Sequence, residues 1–183
     1  LVKMKITEGK EWMPQTGKEE NTIQFNYFIN NELINIKYRD GKKNFKLVKG
    51  AEKIFYNIDS TIGHDYVVIV EGEIDALSLV EVGVKSVISV PNGATISNNN
   101  LDYLDSCIDY LDGKEKIIIA VDQDEAGENL KQELIRRLGA EACFTCDFGI
   151  YKDANDFLLH NSSAKLNDVI KNASPVPIEN VIT

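Results

Sequence analysis

Short, continuously apolar runs alternate with helical patterns from residue 66 onward. The runs are rich in β-branched residues, as expected for strands that are buried on both faces of a sheet. They lie at 67–70, 86–90, 117–121 and 141–146. Between and after them, apolar residues recur at spacings of three and four, which predicts helices. These lie at about 74–82, 97–111, 125–138, 154–160 and 164–172, with Ser97 as a predicted cap. The alternation predicts an α/β fold, with a parallel sheet of about four strands flanked by helices.

A different pattern precedes this region. Ile23, Phe25, Tyr27 and Ile29 alternate with mostly polar residues, which indicates a strand with one buried face. Asn-Asn at 30–31 and Asp-Gly at 40–41 are turn dipeptides, so a small antiparallel β subdomain is predicted. The first residues are polar and show no period. The predicted division is a loosely structured lead-in over 1–21, the β subdomain over 22–62, the α/β domain over 63–174 and a linker starting at Pro175 and covering 175–183.

The composition excludes several classes of protein. The chain has 183 residues, of which 43% are hydrophobic and 27% are charged, as in soluble globular proteins. No stretch approaches the roughly 18 apolar residues of a membrane span, so no membrane association is expected. The three cysteines cannot all pair, and no signal peptide is recognisable, which favours a reducing compartment. Because the chain begins with Leu1 instead of Met, we expect a fragment of a longer protein.

Charge is distributed unevenly along the chain. The net charge of −9 argues against a simple nucleic-acid binder, since such proteins are usually basic. Residues 1–60, however, contain 11 basic and 8 acidic residues, whereas residues 61–183 contain 9 basic and 21 acidic residues. Seven of the basic residues fall between positions 37 and 53. A basic segment therefore precedes an acidic domain, and the alternative is that these lysines only form a solvated hairpin face.

Acidic residues follow two of the predicted buried strands. Glu71 and Asp75 follow the first strand, and Asp122 and Asp124 follow the third. Since the carboxyl ends of parallel strands meet at one edge of a sheet, these side chains are expected to converge there. Carboxylates held together repel unless a cation or proton neutralises them, and oxygen ligands suit Mg²⁺ or Mn²⁺. Alternatively, acids near a helix start only cap it or favour its dipole. That alternative stays open for Glu73, Asp75, Asp124 and Glu125.

The strand-end motifs resemble those of a known family. Glu71-Gly72-x-x-Asp75-Ala76, followed by Asp122-x-Asp124-x-Ala126-Gly127, resembles the Toprim domain of primases, topoisomerases and some nucleases. Lys152-Asp153-Ala154-Asn155-Asp156 resembles the lysine-aspartate loop of phage primase-helicases and of the helicase Twinkle. Lys37-Tyr38-Arg39-Asp40 and Lys43-Asn44-Phe45-Lys46 resemble the basic subdomain that precedes Toprim in that group. The resemblance covers about residues 22–160.

This resemblance implies roles for individual residues. Catalytic residues would be Glu71, Asp122 and Asp124. The metal ions would be held by the same three carboxylates together with Asp75 and Asp153. Nucleotide or DNA would be bound by Lys37, Arg39, Lys43, Lys46, Gly93 and Lys152. Two alternatives remain here, because Asn92-Gly93 is also a plain turn and Lys152 could be a solvated lysine beside a helix cap.

The implied activity is that of a DNA primase. Such an enzyme makes RNA primers on single-stranded DNA from ribonucleoside triphosphates, with Mg²⁺ or Mn²⁺, beside a helicase domain in the same chain or in trans. The expected compartment is the cytoplasm of a bacterial or phage-infected cell. Cys143 and Cys146 lie three residues apart in a predicted strand and so point to opposite faces, which predicts no zinc site here. Two other functions stay open: a non-catalytic module that binds single-stranded DNA beside a replicative helicase, and a Toprim nuclease.

Overall fold

The computed structural model describes residues 2–93 and 101–178, which form two β-sheets and five α-helices. The first sheet is an antiparallel meander with the strand order β1-β2-β3-β4. Its strands are β1 (Ile6–Met13), β2 (Lys18–Ile29), β3 (Glu32–Asp40) and β4 (Phe45–Leu47). The turn between β2 and β3 has left-handed backbone at Asn30 (φ 50°) and Asn31 (φ 66°), which is the geometry that tight hairpins require. The antiparallel subdomain predicted from the sequence is confirmed.

The prediction of a loosely structured lead-in is wrong, because the first residues contribute a full edge strand. β1 pairs with β2 from Ile6↔Phe25 to Met13↔Lys18. The strand lies at the edge of the sheet and most of its side chains are at least partly exposed. It therefore needs no alternating apolar pattern, and the periodicity on which the sequence prediction relied is absent.

The second sheet has the strand order β6-β5-β7-β8-β9. Its strands are β5 (Tyr66–Val70), β6 (Val87–Ser89), β7 (Lys116–Ile119), β8 (Cys143–Thr145) and β9 (Ser174–Pro175). The first four are parallel, as predicted. β9 pairs antiparallel with β8, so Pro175 closes the sheet and does not begin a linker. A proline fits this place because an edge strand leaves one row of backbone N–H groups without ladder partners.

The helices are close to their predicted positions. They are α1 (Glu73–Glu81), α2 (Asp102–Leu111), α3 (Glu125–Leu138), α4 (Ala154–His160) and α5 (Ser163–Lys171). The predicted cap Ser97 lies outside the described residues. Within the described ranges, no helix is long and apolar enough to cross a membrane.

The strand order creates a crevice between β5 and β7. The chain leaves β5 towards β6 on one side, whereas it leaves β7 towards β8 on the other side. At such a switch point the connections diverge, and α/β sheets bind their ligands in the gap beyond the carboxyl ends of the two strands. The residues that follow β5 and β7 are the acidic motifs, so the topology brings both motifs to the same gap.

The two sheets share one hydrophobic core. Tyr56 exchanges backbone hydrogen bonds with Ser89 at the end of β6, with N···O distances of 2.8 and 3.2 Å. The Tyr56 ring packs edge-on against Phe25 and Tyr27 of β2. All three aromatic side chains are buried in a cluster that also contains the strands of the parallel sheet. The antiparallel sheet is therefore anchored beside the crevice by apolar packing.

Candidate active site

Three carboxylates meet at the crevice between β5 and β7. Asp75 comes from the first turn of α1, Asp122 follows β7, and Asp153 is the N-cap residue of α4. Each offers a carboxylate oxygen, and these oxygens all lie within 4.8 Å of one another. This is the convergence that the strand-end pattern predicted for Asp75 and Asp122. Asp153, which only the family resemblance pointed to, joins them because β8 lies beside β7.

Burial and the charges of neighbouring carboxylates raise the pKa values of Asp75 and Asp122. Burial raises the pKa of Asp75 to about 8, and the charges of Asp153 and Asp122 add to that rise. The backbone N–H of Asn155 donates to Asp75 Oδ1 at 2.9 Å and opposes it. Burial also raises the pKa of Asp122, although a lysine neighbour acts in the opposite direction. The site therefore favours a proton or a cation among its carboxylates.

Asp124 is a helix cap as well as a neighbour of the trio. Its Oδ1 accepts a hydrogen bond of 2.9 Å from the backbone N–H of Gly127, which lowers the pKa of Asp124. Gly127 permits this tight turn, because a Cβ at that position would lie 2.0 Å from the carbonyl oxygen of Asp122. The capping interpretation of Asp124 is thus correct for one oxygen, while the second oxygen lies 3.1 Å from Lys152 Nζ.

Lys152 links Asp122 and Asp124. Its Nζ lies 2.9 Å from Asp122 Oδ2 and 3.1 Å from Asp124 Oδ2, and its side chain is 55% exposed. These contacts raise the pKa of Lys152, so it carries a full positive charge at neutral pH. The ammonium group therefore offsets part of the negative charge at the mouth of the crevice, which a solvated loop lysine would not do.

The crevice opens into a cleft of about 670 Å³ between the two sheets. Glu71 and Gly93 line it, and a Cβ added to Gly93 would lie 3.5 Å from Glu71 Oε1. On the opposite wall stand the exposed residues Lys43 and Phe45. The structure therefore places Glu71 at the same cleft as the acidic trio, although it is not one of the three clustered carboxylates.

The four predicted basic residues of the small sheet do not behave alike. Lys37 and Arg39 share a face, as predicted, and approach the Phe45 ring to 5.2 and 5.9 Å. Lys46 lies on the other face, where it forms an ion pair with Glu11. Because β3 and β4 side chains alternate, Lys46 cannot join the row formed by Lys37 and Arg39.

At Lys37, the alternative of a solvated hairpin face is wrong. It is 8% exposed, and its Nζ lies 2.9 and 3.2 Å from the two carboxylate oxygens of Glu73. Glu73 is 3% exposed and also accepts a hydrogen bond from the Tyr27 hydroxyl. Burial of the Tyr27 side chain raises the pKa of Tyr27 well above its usual value, and the neighbouring Glu73 carboxylate adds to that rise. Sequence reasoning treated Glu73 only as an acid at a helix start, since nothing local identifies its partners on β2 and β3.

The chain is similar in sequence to a Toprim-like family and to two plant proteins, one named a primase homolog and one a Twinkle homolog. Residues 68–158 match a family model described as Toprim-like. The chain is 34% identical over 192 aligned residues to the Primase homolog protein of Arabidopsis thaliana, covering 96% of this chain and 57% of that protein. It is 33% identical over 194 aligned residues to the Twinkle homolog protein of the same plant, covering 97% of this chain and 27% of that protein. The chain thus spans about half or less of the length of these relatives.

A solved structure of phage proteins has the same fold. It contains primase domains of bacteriophage T7, bound to an RNA/DNA hybrid and dTTP and interacting with the lagging-strand DNA polymerase. The TM-score is 0.77 at 25% sequence identity, and the match covers 95% of this chain and 86% of that chain. The match extends over nearly the whole chain, so the antiparallel sheet and the parallel sheet are both part of the shared architecture.

Proposed function

Since residues 68–158 form a Toprim-like domain in a chain with the architecture of phage-type primases, we propose that this chain is the catalytic core of a DNA primase. It would join ribonucleotides into an RNA primer on a single-stranded DNA template. One observation carries the proposal: Asp75, Asp122 and Asp153 converge at a cleft whose opposite wall carries the exposed, basic Lys43. The acidic wall would hold a metal ion with its bound triphosphate, and the basic wall would bind the polyanionic template strand.

The residues present fit a divalent cation. The three clustered groups are carboxylates, which are hard oxygen donors, and the raised pKa values of Asp75 and Asp122 mark an uncompensated negative charge. Asp75, Asp122 and Asp153 would hold Mg²⁺ or Mn²⁺, with Asp124 at the margin of the site. Such an ion would neutralise charge that develops on the reacting phosphate. The thiols at Cys143 and Cys146 play no part in this proposal.

The reaction is a nucleotidyl transfer. The 3′-hydroxyl oxygen of one nucleotide forms a bond to the α-phosphorus of the next, the bond from that phosphorus to the bridging oxygen breaks, and pyrophosphate leaves. Glu71 lines the cleft and is the group we assign to hold or accept the hydroxyl proton. We assign Lys152 to contact the triphosphate, and Gly93, which has no side chain, would let its backbone approach a phosphate closely.

The template would lie along the basic wall. Lys43 is exposed, Arg39 is partly exposed, and the exposed Phe45, 5.9 Å from the Arg39 guanidinium group, offers a ring on which a base can stack. Lys37 is removed from this set because its ammonium group is already bound by Glu73, and Lys46 because its ammonium group is paired with Glu11. A helicase, in the same chain or in trans, would deliver the single strand. The compartment proposed is that in which such a replication machine works, the cytoplasm of a bacterial or phage-infected cell.

A second candidate function is single-stranded DNA binding without synthesis. The observation that favours it is that Arg39, Phe45 and Lys43 belong to β3, β4 and the turn between them, whereas the acidic trio belongs to the parallel-sheet domain. Such a wall can bind a strand whether or not the carboxylates perform chemistry.

The deciding experiment measures primer formation and DNA binding in the same preparations. The protein is incubated with single-stranded DNA, ribonucleoside triphosphates and Mg²⁺, and Asp122→Asn is compared with Asp109→Asn, an exposed acid on α2. We expect primers from the wild type and from Asp109→Asn, and none from Asp122→Asn, which should still bind DNA. Binding by the wild type without any primer would instead support the module that only binds DNA.

A further inference from the structure

We infer that Gln123 is a positioning residue of this site, which holds the segment 148–152 so that the Lys152 ammonium group stays between Asp122 and Asp124. The inference deepens the proposed function, on which it rests for the role of Lys152. Gln123 occupies the variable position between the two aspartates of the Asp122-Gln123-Asp124 motif, where the sequence alone assigns it no task.

Gln123 forms hydrogen bonds with four of the five residues in this segment. Its side-chain Oε1 accepts a hydrogen bond of 2.8 Å from the backbone N–H of Phe148. Its Nε2 donates to the carbonyl oxygens of Gly149 and Tyr151, each at 3.0 Å. Its backbone N–H donates to the carbonyl oxygen of Lys152 at 2.7 Å. One residue of the β7 loop therefore fixes the backbone that precedes and includes Lys152.

The other hydrogen bonds described within 148–151 are local to the turn: the Gly149 N–H donates to Asp147 Oδ1 at 2.7 Å and the Tyr151 N–H donates to the Phe148 carbonyl oxygen at 3.3 Å. Phe148 is buried and Tyr151 packs edge-on against Phe157, but Ile150 between them is 93% exposed. Gly149 has left-handed backbone (φ 66°), so the chain turns sharply at this point. Lys152 is also joined to α4, because its N–H donates to Asp156 Oδ2 at 3.2 Å, and the N–H of Asn155 ties α4 to Asp75. Gln123 connects the backbone of the turn to the β7 loop, on which Asp122 and Asp124 lie.

The chemistry of these bonds requires a primary amide of this length. One oxygen must accept from an N–H group while one nitrogen donates to two carbonyl groups. Glutamate lacks the donor, lysine lacks the acceptor, asparagine is one methylene shorter, and methionine has neither group in a useful form. The methionine variant keeps the size of the side chain and removes only the hydrogen bonds, so it isolates their contribution.

The test is a double-mutant cycle between Gln123→Met and Lys152→Met, with Gln132→Met as the matched control. Gln132 is an exposed glutamine on α3 whose amide donates to Glu128 at 2.8 Å. The melting temperature of each protein is measured without metal and over a series of Mg²⁺ concentrations, which gives an apparent Mg²⁺ affinity. Backbone amide exchange at Phe148 is measured alongside.

Because Lys152 lies against two carboxylates, its loss should tighten the apparent Mg²⁺ affinity by about two- to fivefold, the range that an exposed ion pair supports. Gln123→Met should tighten it in the same direction by freeing Lys152, and should add nothing in the Lys152→Met background. Exchange at Phe148 should accelerate in Gln123→Met and stay unchanged in the control. If Mg²⁺ does not shift the melting temperature, the coupling between the two substitutions is calculated from the metal-free melting temperatures instead.

Additive effects of the two substitutions, or unchanged exchange at Phe148, would overturn the inference. Primer synthesis by the wild type together with additive effects would mean that the proposed function stands and the role of Gln123 fails. If the effects of the two substitutions were coupled but the wild type made no primer, the role of Gln123 would stand and the proposed function would fail.

Discussion

The buried ion pair between Lys37 and Glu73 should dominate the response of this protein to mutation of its basic sheet. Sequence reasoning expects that changing Lys37 leaves the melting temperature nearly unchanged, as for any solvated lysine. The structure predicts the opposite, because the two side chains are only 10% and 4% exposed. Removing the ammonium group leaves the Glu73 carboxylate buried, with the Tyr27 hydroxyl as its remaining hydrogen-bond donor among those described.

The expected size of this effect follows from the burial. Breaking a buried ion pair by removing one partner costs about 3–5 kcal/mol, chiefly through the uncompensated charge that stays behind. For a protein of this length, 1 kcal/mol corresponds to about 2–4 °C, so Lys37→Met should lower the melting temperature by about 6–20 °C. Methionine keeps the apolar stem of the lysine, which limits the loss of packing to a small share.

A double substitution separates charge from packing. In Lys37→Met/Glu73→Gln, the glutamine still accepts from Tyr27 and no charge is buried, so most of the lost stability should return. Lys43→Met is the control, since it removes the same charge from an exposed position of the same sheet and should change stability by less than about 0.5 kcal/mol. Thermal or denaturant unfolding gives the free energy of unfolding of the wild type and of the three variants. If Lys37→Met were as stable as Lys43→Met, the argument from burial would be refuted.

Four further outcomes are expected. Lys43→Ala should flatten the salt dependence of single-stranded DNA binding by about 0.7, the slope for one neutralised phosphate, and an unchanged slope in a titration at three salt concentrations would remove Lys43 from the binding wall. The pKa of Asp75 is about 8 in the folded protein and about 3.9 in the unfolded chain, so between these pH values only the folded state keeps the proton. Metal-free stability should therefore fall as the pH rises from 4 to 8, and Asp75→Asn should reduce that fall in thermal melts followed by circular dichroism. Asp122→Asn/Asp124→Asn should abolish the Mg²⁺-dependent rise in melting temperature, and a preserved rise would exclude these carboxylates as ligands. Glu71→Gln should stop primer synthesis while DNA binding survives, and near-normal primer yield would argue against a role for Glu71 in proton transfer.

Much of the fold is written locally in the sequence. The apolar runs of the parallel strands and the helical spacings between them depend on near neighbours, so periodicity alone predicted the α/β alternation. The acidic motifs follow the strands directly, and parallel strands bring their carboxyl ends to one edge, so Asp75 and Asp122 could be predicted to meet. β1 escaped the same reasoning, because an edge strand with largely exposed side chains carries no hydrophobic period.

Only the tertiary structure decided how the charged residues pair. Lys37 and Glu73 are 36 positions apart, and Gln123 and Phe148 are 25 apart, so no local pattern links them. In the sequence, Lys37 cannot be distinguished from the other lysines of the basic segment. In the folded protein, packing of the antiparallel sheet against α1 buries its ammonium group on Glu73. The sequence determined by itself which residues could carry charge at the crevice. Packing decided which of them face solvent, which neutralise one another and which hold a loop in place, because burial depends on elements that are distant along the chain.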